Sequence, residues 1–396
     1  MASSSSSPKP KIRVALIGLN APYTGTPTGT NWAASAHLPY LQTSSKYELV
    51  ALQNSSAERA RKSIEAYGLN PEKVKAYGNP EDLAADPDID LVVSSIRVDR
   101  HAGSLIPSIK SGKAVFVEWP LEANYAKAKE LADLVKAHRV RNVVGLQGGF
   151  SPIAKKAKAI IECGDIGRVE SSTMVAMNSG GATVSSHVGY FVDRKVGGNM
   201  FTIAFGHGME FITEGGVSSH HSLLVNQYPS VSIVNLSTRE VISQSQPNDV
   251  PNQIVFNAVM DSGAVFTYKL HNSATISPGA KPRQNGGGRM PALDWRIFGS
   301  RGELRITSYS TWSLNVGAED VRLEIWKADQ GEVVEVDVGA DEFEDLPLRA
   351  RNIAKVYEAF AAGIDGEGKK REWYPDFEYG LKRHELIETM YRENGF

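Results

Sequence analysis

The sequence holds a single cysteine, Cys163, so it can form no internal disulfide and no cysteine-based zinc site, which suits a reducing compartment. The expected location is the cytoplasm, with the nucleus as the alternative. No apolar run approaches the ~20 residues that span a bilayer, so a membrane protein is not expected. Neither sign of charge dominates, since 43 Lys and Arg stand against 45 Asp and Glu for a formal net charge of −2. Without a basic field, or a basic stripe interleaved with aromatics, direct nucleic-acid contact is not expected either. The run Ser3 to Ser7, followed by Pro8-Lys9-Pro10, has none of the apolar core of a secretory signal. Residues 1–10 therefore read as a disordered tail.

What remains is ordinary globular composition, 41% hydrophobic and 22% charged over 396 residues. That length exceeds what one core usually organises, so two domains are expected, at 11–150 and 151–396. The run Lys11 to Ile17 is apolar, β-branched and ends at Gly18, as a buried parallel strand does. A loop from Gly18 to Thr30 leads to a helical stretch from Asn31 to Leu41. Strand, glycine turn and helix N-terminus together favour a phosphate, because free N–H groups and the helix dipole both attract an anion. Asn20 stands where the regular fingerprint has its second glycine and tolerates positive φ, while Pro22 to Thr28 reads as an insertion.

Strands at Glu48 to Leu52, Ile89 to Ser94 and Ala114 to Val117 alternate with helices at Ala57 to Tyr67 and Ala102 to Ser111. This order predicts a doubly wound parallel sheet of Rossmann type that binds NAD(H) or NADP(H), with Gly18, Asn20 and Ala21 in the phosphate turn. The second strand runs into Gln53-Asn54-Ser55-Ser56 and offers no carboxylate to a ribose 2′-hydroxyl. Asn54, Ser55 and Arg59 then belong to the ribose end, and the lean is to NADP(H) because Ser55, Ser56 and Arg59 can cradle a phosphate. Arg59 reads equally well as a solvated charge on a helix face.

From Arg168 the texture changes to long alternating strands, at Glu170 to Met177, Gln253 to Met260, Ala264 to Leu270, Trp295 to Gly299, Glu303 to Thr307 and Arg322 to Trp326. A large, mostly antiparallel open β-sheet is expected, giving an α/β plus α+β chain. Its outer face suits a homodimer. Ser277 to Arg289, with four glycines and two prolines, reads as a mobile loop. Helices at 348–363 and 377–392 close the structure. His220-His221 reads as a solvated pair rather than a metal site, and no metal is expected.

Several runs carry a family resemblance: Phe116-Val117-Glu118-Trp119-Pro120, Ile160 to Gly167, Gly197-Gly198 leading to His207, Arg296 to Leu304, and Tyr374-Pro375-Asp376-Phe377. They resemble the Gfo/Idh/MocA (glucose-fructose oxidoreductase and inositol dehydrogenase) family over almost the whole chain after the tail. Within it, Gly18-Leu19-Asn20-Ala21, Ile96-Arg97-Val98 with His101, Glu118-Trp119, Leu146-Gln147-Gly148 and Phe205-Gly206-His207 resemble the branch of galactose-pathway repressors, which bind dinucleotide and an activator protein without catalysis.

The resemblance implies a nucleotide-side set of Ile96, Arg97, His101, Glu118, Trp119 and Gln147, with Glu118 beside the cofactor and His101 near the nicotinamide edge. In the family's dehydrogenases a lysine after that glutamate moves the proton that accompanies the hydride, assisted by an aspartate and a histidine one helical turn apart. Here the lysine position is Trp119 and the aspartate position is Ile203, neither of which is a base; His207 alone survives. Trp119 either stacks on the nicotinamide or packs as core at a strand end. His207, with Glu210 near it, is either the proton-transfer group or a buried, hydrogen-bonded histidine. Tyr23, Tyr190, Lys195 and His187 are replacement donors without motif support. The expectation is an NAD(P)-dependent oxidoreductase with atypical acid-base residues, acting on a carbonyl, imine or sugar-like small molecule. The alternative is a dinucleotide-binding regulator with a protein partner.

Overall fold

The first apolar run forms β1 (Ile12–Ile17), in which Val14 to Ile17 are all buried. A strand buried on both faces needs covering on both. Its sheet contains β2 (Tyr47–Gln53), β3 (Lys75–Tyr77), β4 (Leu91–Ser94), β5 (Ala114–Glu118) and β6 (Asn142–Gly145), all parallel, in the order β3-β2-β1-β4-β5-β6. On one face Val14 and Leu16 pack with α1 (Leu38–Thr43) and α2 (Ala57–Ala66) through Leu38, Leu41, Ala60 and Ile64. On the other, Ala15 and Ile17 pack with α3 (Pro80–Ala85), α4 (His101–Lys110) and α5 (Tyr125–His138) through Leu83, Leu105 and Leu131. This is the expected doubly wound Rossmann sheet. The computed structural model describes residues 10–22, 31–179, 181–208, 216–235, 237–238, 240–273, 291–363 and 373–396. Most of the N-terminal tail, Tyr23 with most of the 22–28 insertion, Glu210 and the Ser277 to Arg289 segment lie outside those residues.

After α6 (Pro152–Glu162) the chain enters β7 (Val169–Ser179), β8 (Thr183–Ser185), α7 (Met200–Gly208), β9 (Val217–Val225), β10 (Ser230–Val234) and β11 (Val241–Pro247). Then follow β12 (Gln253–Met260), β13 (Val265–Ser273), β14 (Leu293–Gly299), β15 (Gly302–Ser308), β16 (Arg322–Lys327) and β17 (Val333–Glu335). Among the described residues the large sheet has eight strands in the order β17-β16-β15-β14-β7-β13-β12-β9, antiparallel except for the β7–β13 pair. The expected mostly antiparallel sheet is therefore present. Strand alternation splits the histidine pair on β9: His220 turns inward and stacks on Phe256 at 5.5 Å, whereas His221 is exposed.

The two closing helices, α8 (Leu348–Ala362) and α9 (Phe377–Glu393), serve different halves. Ile353, Tyr357 and Phe360 of α8 join the Rossmann core beside Val14 and Leu16. Helix α9 lies between α5 and β9, and so ties the parallel sheet to the antiparallel one.

Candidate functional site

In an open parallel sheet ligands sit beyond the carboxyl ends of the strands, which here carry the loops after Ile17, Ser94, Glu118 and Gly145. Gly18 follows β1 at φ +98°, and a Cβ there would lie 2.3 Å from the Ser95 carbonyl oxygen and 2.6 Å from Ile96 Cγ2. Only glycine fits this closure. Asn54 turns its amide inward, donating to Leu19 O at 3.0 Å and Ser63 Oγ at 3.1 Å, so it holds the turn. Asn20 accepts through its carbonyl from Tyr67 Oη and Asn31 Nδ2, and Ala21 follows it partly buried. Ser56 caps α2 by accepting from the Arg59 N–H, which leaves Ser55 and the Arg59 side chain exposed at the ribose end.

Helix α1 is entered through a π-wound turn, Ala33–His37, that brings His37 fully inside. There His37 Nε2 meets Glu118 Oε1 at 2.9 Å and its Nδ1 meets Tyr357 Oη at 2.9 Å. One tautomer satisfies every group: Tyr357 donates to Nδ1, and Nε2–H donates to the Glu118 carboxylate. A Cβ at Gly145 would lie 2.7 Å from Glu118 Oε1, so this glycine gives the carboxylate its room. Neither His37 nor Tyr357 stands out in the sequence, because a lone histidine in an apolar helix and a tyrosine in the penultimate helix look like ordinary core.

The next residue faces the other way. Trp119, joined to Pro120 by a cis peptide, donates its indole N–H to Thr202 O at 2.9 Å and packs against His384 with centroids 4.8 Å apart. A Cβ at Gly206 would lie 2.1 Å from Trp119 Nε1. Gly206 is thus the space that Trp119 needs, and with the indole 5% exposed little of its face remains for a nicotinamide. Phe205 anchors α7 on the antiparallel sheet through Phe256 and Tyr268, at 5.1 and 5.6 Å. Ile203 and His207, four residues apart, share another face of α7, where His207 is 8% exposed.

In the loop after β4, Arg97 is paired with Asp99 and lies over the Tyr190 ring at 5.8 Å. Tyr190 and Val98 both pack at Gly198, just before α7. His101 is fully buried, each ring nitrogen 3.1 Å from a carbonyl, Leu121 O on one side and Ile96 O on the other. Burial lowers its pKa, so the neutral ring donates to one carbonyl and ties the loop after β4 to the loop after β5. Lys195 does not join His207; it lines a separate cavity with Arg194, Thr202 and Tyr391. His187 lies on the helical turn Ser186–Val192, half-buried.

Two features suit a dinucleotide at the strand ends. The Gly18 turn has no room for a side chain, and two buried amide oxygens, Gln53 Oε1 at the end of β2 and Gln147 Oε1 beyond β6, have no partner among the described residues. A buried unsatisfied amide costs about 1–3 kcal/mol, which a bound hydroxyl or amide donor recovers. Among the described residues no group of three or more His, Cys, Asp or Glu can hold a metal ion, and no helix is long and apolar enough to cross a membrane.

Comparison with known proteins agrees with this fold. The family described as "Oxidoreductase family, NAD-binding Rossmann fold" matches residues 28–146, and the Gal80p C-terminal domain matches residues 152–308. The dehydrogenase aclE of Aspergillus oryzae is 30% identical over 302 residues, covering 75% of this chain and 76% of that one. The galactose/lactose metabolism regulatory protein GAL80 of Saccharomyces cerevisiae is 24% identical over 427 residues, covering 97% and 92%. A crystal structure of a super-repressor mutant of Gal80p from the same yeast superposes with a TM-score of 0.81 at 21% identity, over 98% of this chain and 96% of that one. The chain belongs to the Gfo/Idh/MocA family of NAD-binding oxidoreductases and carries a Gal80p-type C-terminal domain.

Proposed function

We propose that the protein is an NAD(P)-dependent oxidoreductase acting on a carbonyl, imine or sugar-like small molecule, with His207 as its proton-transfer group. What supports this reading is that His207 is sheltered on the α7 face that it shares with Ile203, on the helix that follows Gly198, where Val98 and Tyr190 pack. Bound NAD(P)H supplies the hydride. The chain supplies the rest: His207 gives a proton to the oxygen or nitrogen of the substrate, and Trp119 seals the flank of α7 against water. Glu118, held by His37, offers its second oxygen to a ribose hydroxyl, and Gln53 and Gln147 accept from the nucleotide. Reduction of an activated substrate needs only a weak acid, so the absent lysine hinders it less than it hinders alcohol oxidation. The exposed Ser55 and Arg59 side chains favour NADP(H).

A homodimer through the outer face of the large sheet is part of the same reading. Val259 faces Val265 in one row and Leu223 faces Val255 in another, with Asn257 and Thr267 between the rows and Lys269 between Val255 and Val175; Leu223 is 55% exposed. Exposed apolar side chains set among polar ones on an open sheet suit an interaction surface.

A second reading, a dinucleotide-responsive regulator with a protein partner, is favoured by the burial of Trp119 and by the near-full-length likeness to GAL80. Oxidation of NADPH and NADH against a panel of aldehydes, ketones, imines and keto-sugars decides between them. The enzyme reading predicts turnover that falls about 10²–10⁴-fold in His207→Ala. Tight cofactor binding with no turnover on any class supports the regulator.

A further inference from the structure

On the flank of α7 away from Ile203 and His207 lies a cavity of about 430 Å³, walled by the start of α5, residues 194–197 and α9. It shares no residue with the Gly18 turn, Glu118 or His207. Gly197, at φ +82°, seats the 194–197 turn on Ala123, where a Cβ would come within 2.3 Å of the Ala123 Cα. Asn124 caps α5 by accepting from the Lys127 N–H at 3.0 Å. The Tyr125 and Ala126 N–H groups open this 14-residue helix and have no helical carbonyl to bond. Both residues line the cavity.

Three side chains add positive or donor character. Arg194 lies over the Tyr391 ring at 5.2 Å, and no carboxylate pairs with it or with the Lys195 ammonium among the described residues. His384 is 5% exposed, and its Nε2 accepts the Leu121 N–H at 3.1 Å. Its proton therefore sits on Nδ1, where no described group accepts it. Burial holds the ring neutral, with a pKa of about 3, so this N–H persists as a donor across the ordinary pH range. Glu388 is the single acid among the lining residues.

We propose that this cavity is a second ligand site, taking a small organic oxyanion, phosphate or carboxylate, on the Tyr125 and Ala126 N–H groups. The His384 N–H completes the donor set, and Arg194 and Lys195 neutralise the charge. A helix N-terminus with two free cations gives an anion both directed hydrogen bonds and a favourable field.

Isothermal titration of the full chain with inorganic phosphate, and separately with citrate, at matched ionic strength in chloride, tests this. One saturable site per chain is expected for at least one of them, and whichever binds more tightly identifies the oxyanion. The double variant Arg194→Gln/Lys195→Gln, altered at side chains that no hydrogen bond ties to the fold among the described residues, weakens that binding about tenfold or more. Anion binding that survives this double substitution unchanged belongs elsewhere, for instance at the Gly18 turn, and overturns the proposal. So does the absence of saturable binding of both anions across the millimolar range in the wild-type chain.

Discussion

Glu118 and Trp119 are neighbours in the chain and serve opposite halves of the molecule. Glu118 is tied to the Rossmann half through His37 and Tyr357, a buried polar chain in which every group has a partner. Trp119 is tied to the C-terminal half through Thr202 O, the space above Gly206 and the His384 ring. The first arrangement holds a carboxylate at the strand ends of the Rossmann sheet. The second packs an apolar ring between α7 and α9. One neighbour is presented to the strand-end loops, and the other is taken up in packing. The Glu-Trp and Phe-Gly-His runs, separated by more than eighty residues, are one feature: an indole at 119 requires the missing Cβ at 206.

That contrast can be broken most forcefully on the Trp119 side. Trp119→Ala should cost about 3–5 kcal/mol of stability by denaturant titration, the usual range for a buried tryptophan. Gly206→Ala alone should cost about 1–3 kcal/mol by overpacking, but almost nothing once Trp119 is already alanine. Additive costs in this cycle would mean that the two positions do not depend on each other.

On the nucleotide side, Gly18→Val should weaken NADPH binding by about a hundredfold, ~2.7 kcal/mol, because φ +98° and the nearby Ser95 carbonyl both exclude a side chain. Far-UV circular dichroism should remain that of the folded chain, and an affinity left intact would remove the turn from the site.

A smaller effect concerns acid. The buried His384 ring titrates near 3, against 6.5 for the exposed group, so below about pH 6.5 the unfolded chain takes up a proton that the folded chain refuses. Stability from the neutral ring is complete above that pH and is lost as pH falls toward 3, and His101, also lowered by burial, acts with the same sign. His384→Gln retains an acceptor for the Leu121 N–H. It should flatten the acid limb of stability by about one proton, ~1.4 kcal/mol per pH unit. An unchanged slope would show that the ring is already charged in the folded state.

The smallest effect is expected for Tyr357→Phe, which removes the donor to His37 Nδ1 and should cost about 1 kcal/mol, read as a several-fold loss of NADPH affinity transmitted through Glu118. Loss of stability with unchanged affinity would make the chain from Tyr357 to Glu118 structural alone.

The strands of both sheets were largely legible, because buried parallel strands read as continuous apolar runs and half-buried antiparallel ones as alternation. Short strands such as β3 and the polar-faced β9 escaped, since three residues or a run of serines and histidines carry little hydrophobic signal. Gly18 and Glu118 were visible as motif positions. His37 and Tyr357 were not, because their meaning comes from a contact across 320 residues. For Trp119 the sequence left stacking and packing equally open, since only the position of Gly206 decides what the indole touches. Lys195 was legible as a cation near the glycine pair, but not the side of α7 to which the 194–197 turn would carry it.

The most direct test of the central claim is a fluorescence titration of the full chain with NADPH and with NADH. Saturable binding at one site per chain is predicted, tighter for NADPH, with the preference shrinking in Arg59→Ala while the fold is unchanged. Failure of both nucleotides to bind would contradict the account, because the Gly18 turn, Gln53, Gln147 and the Glu118–His37 pair would then have no ligand to hold.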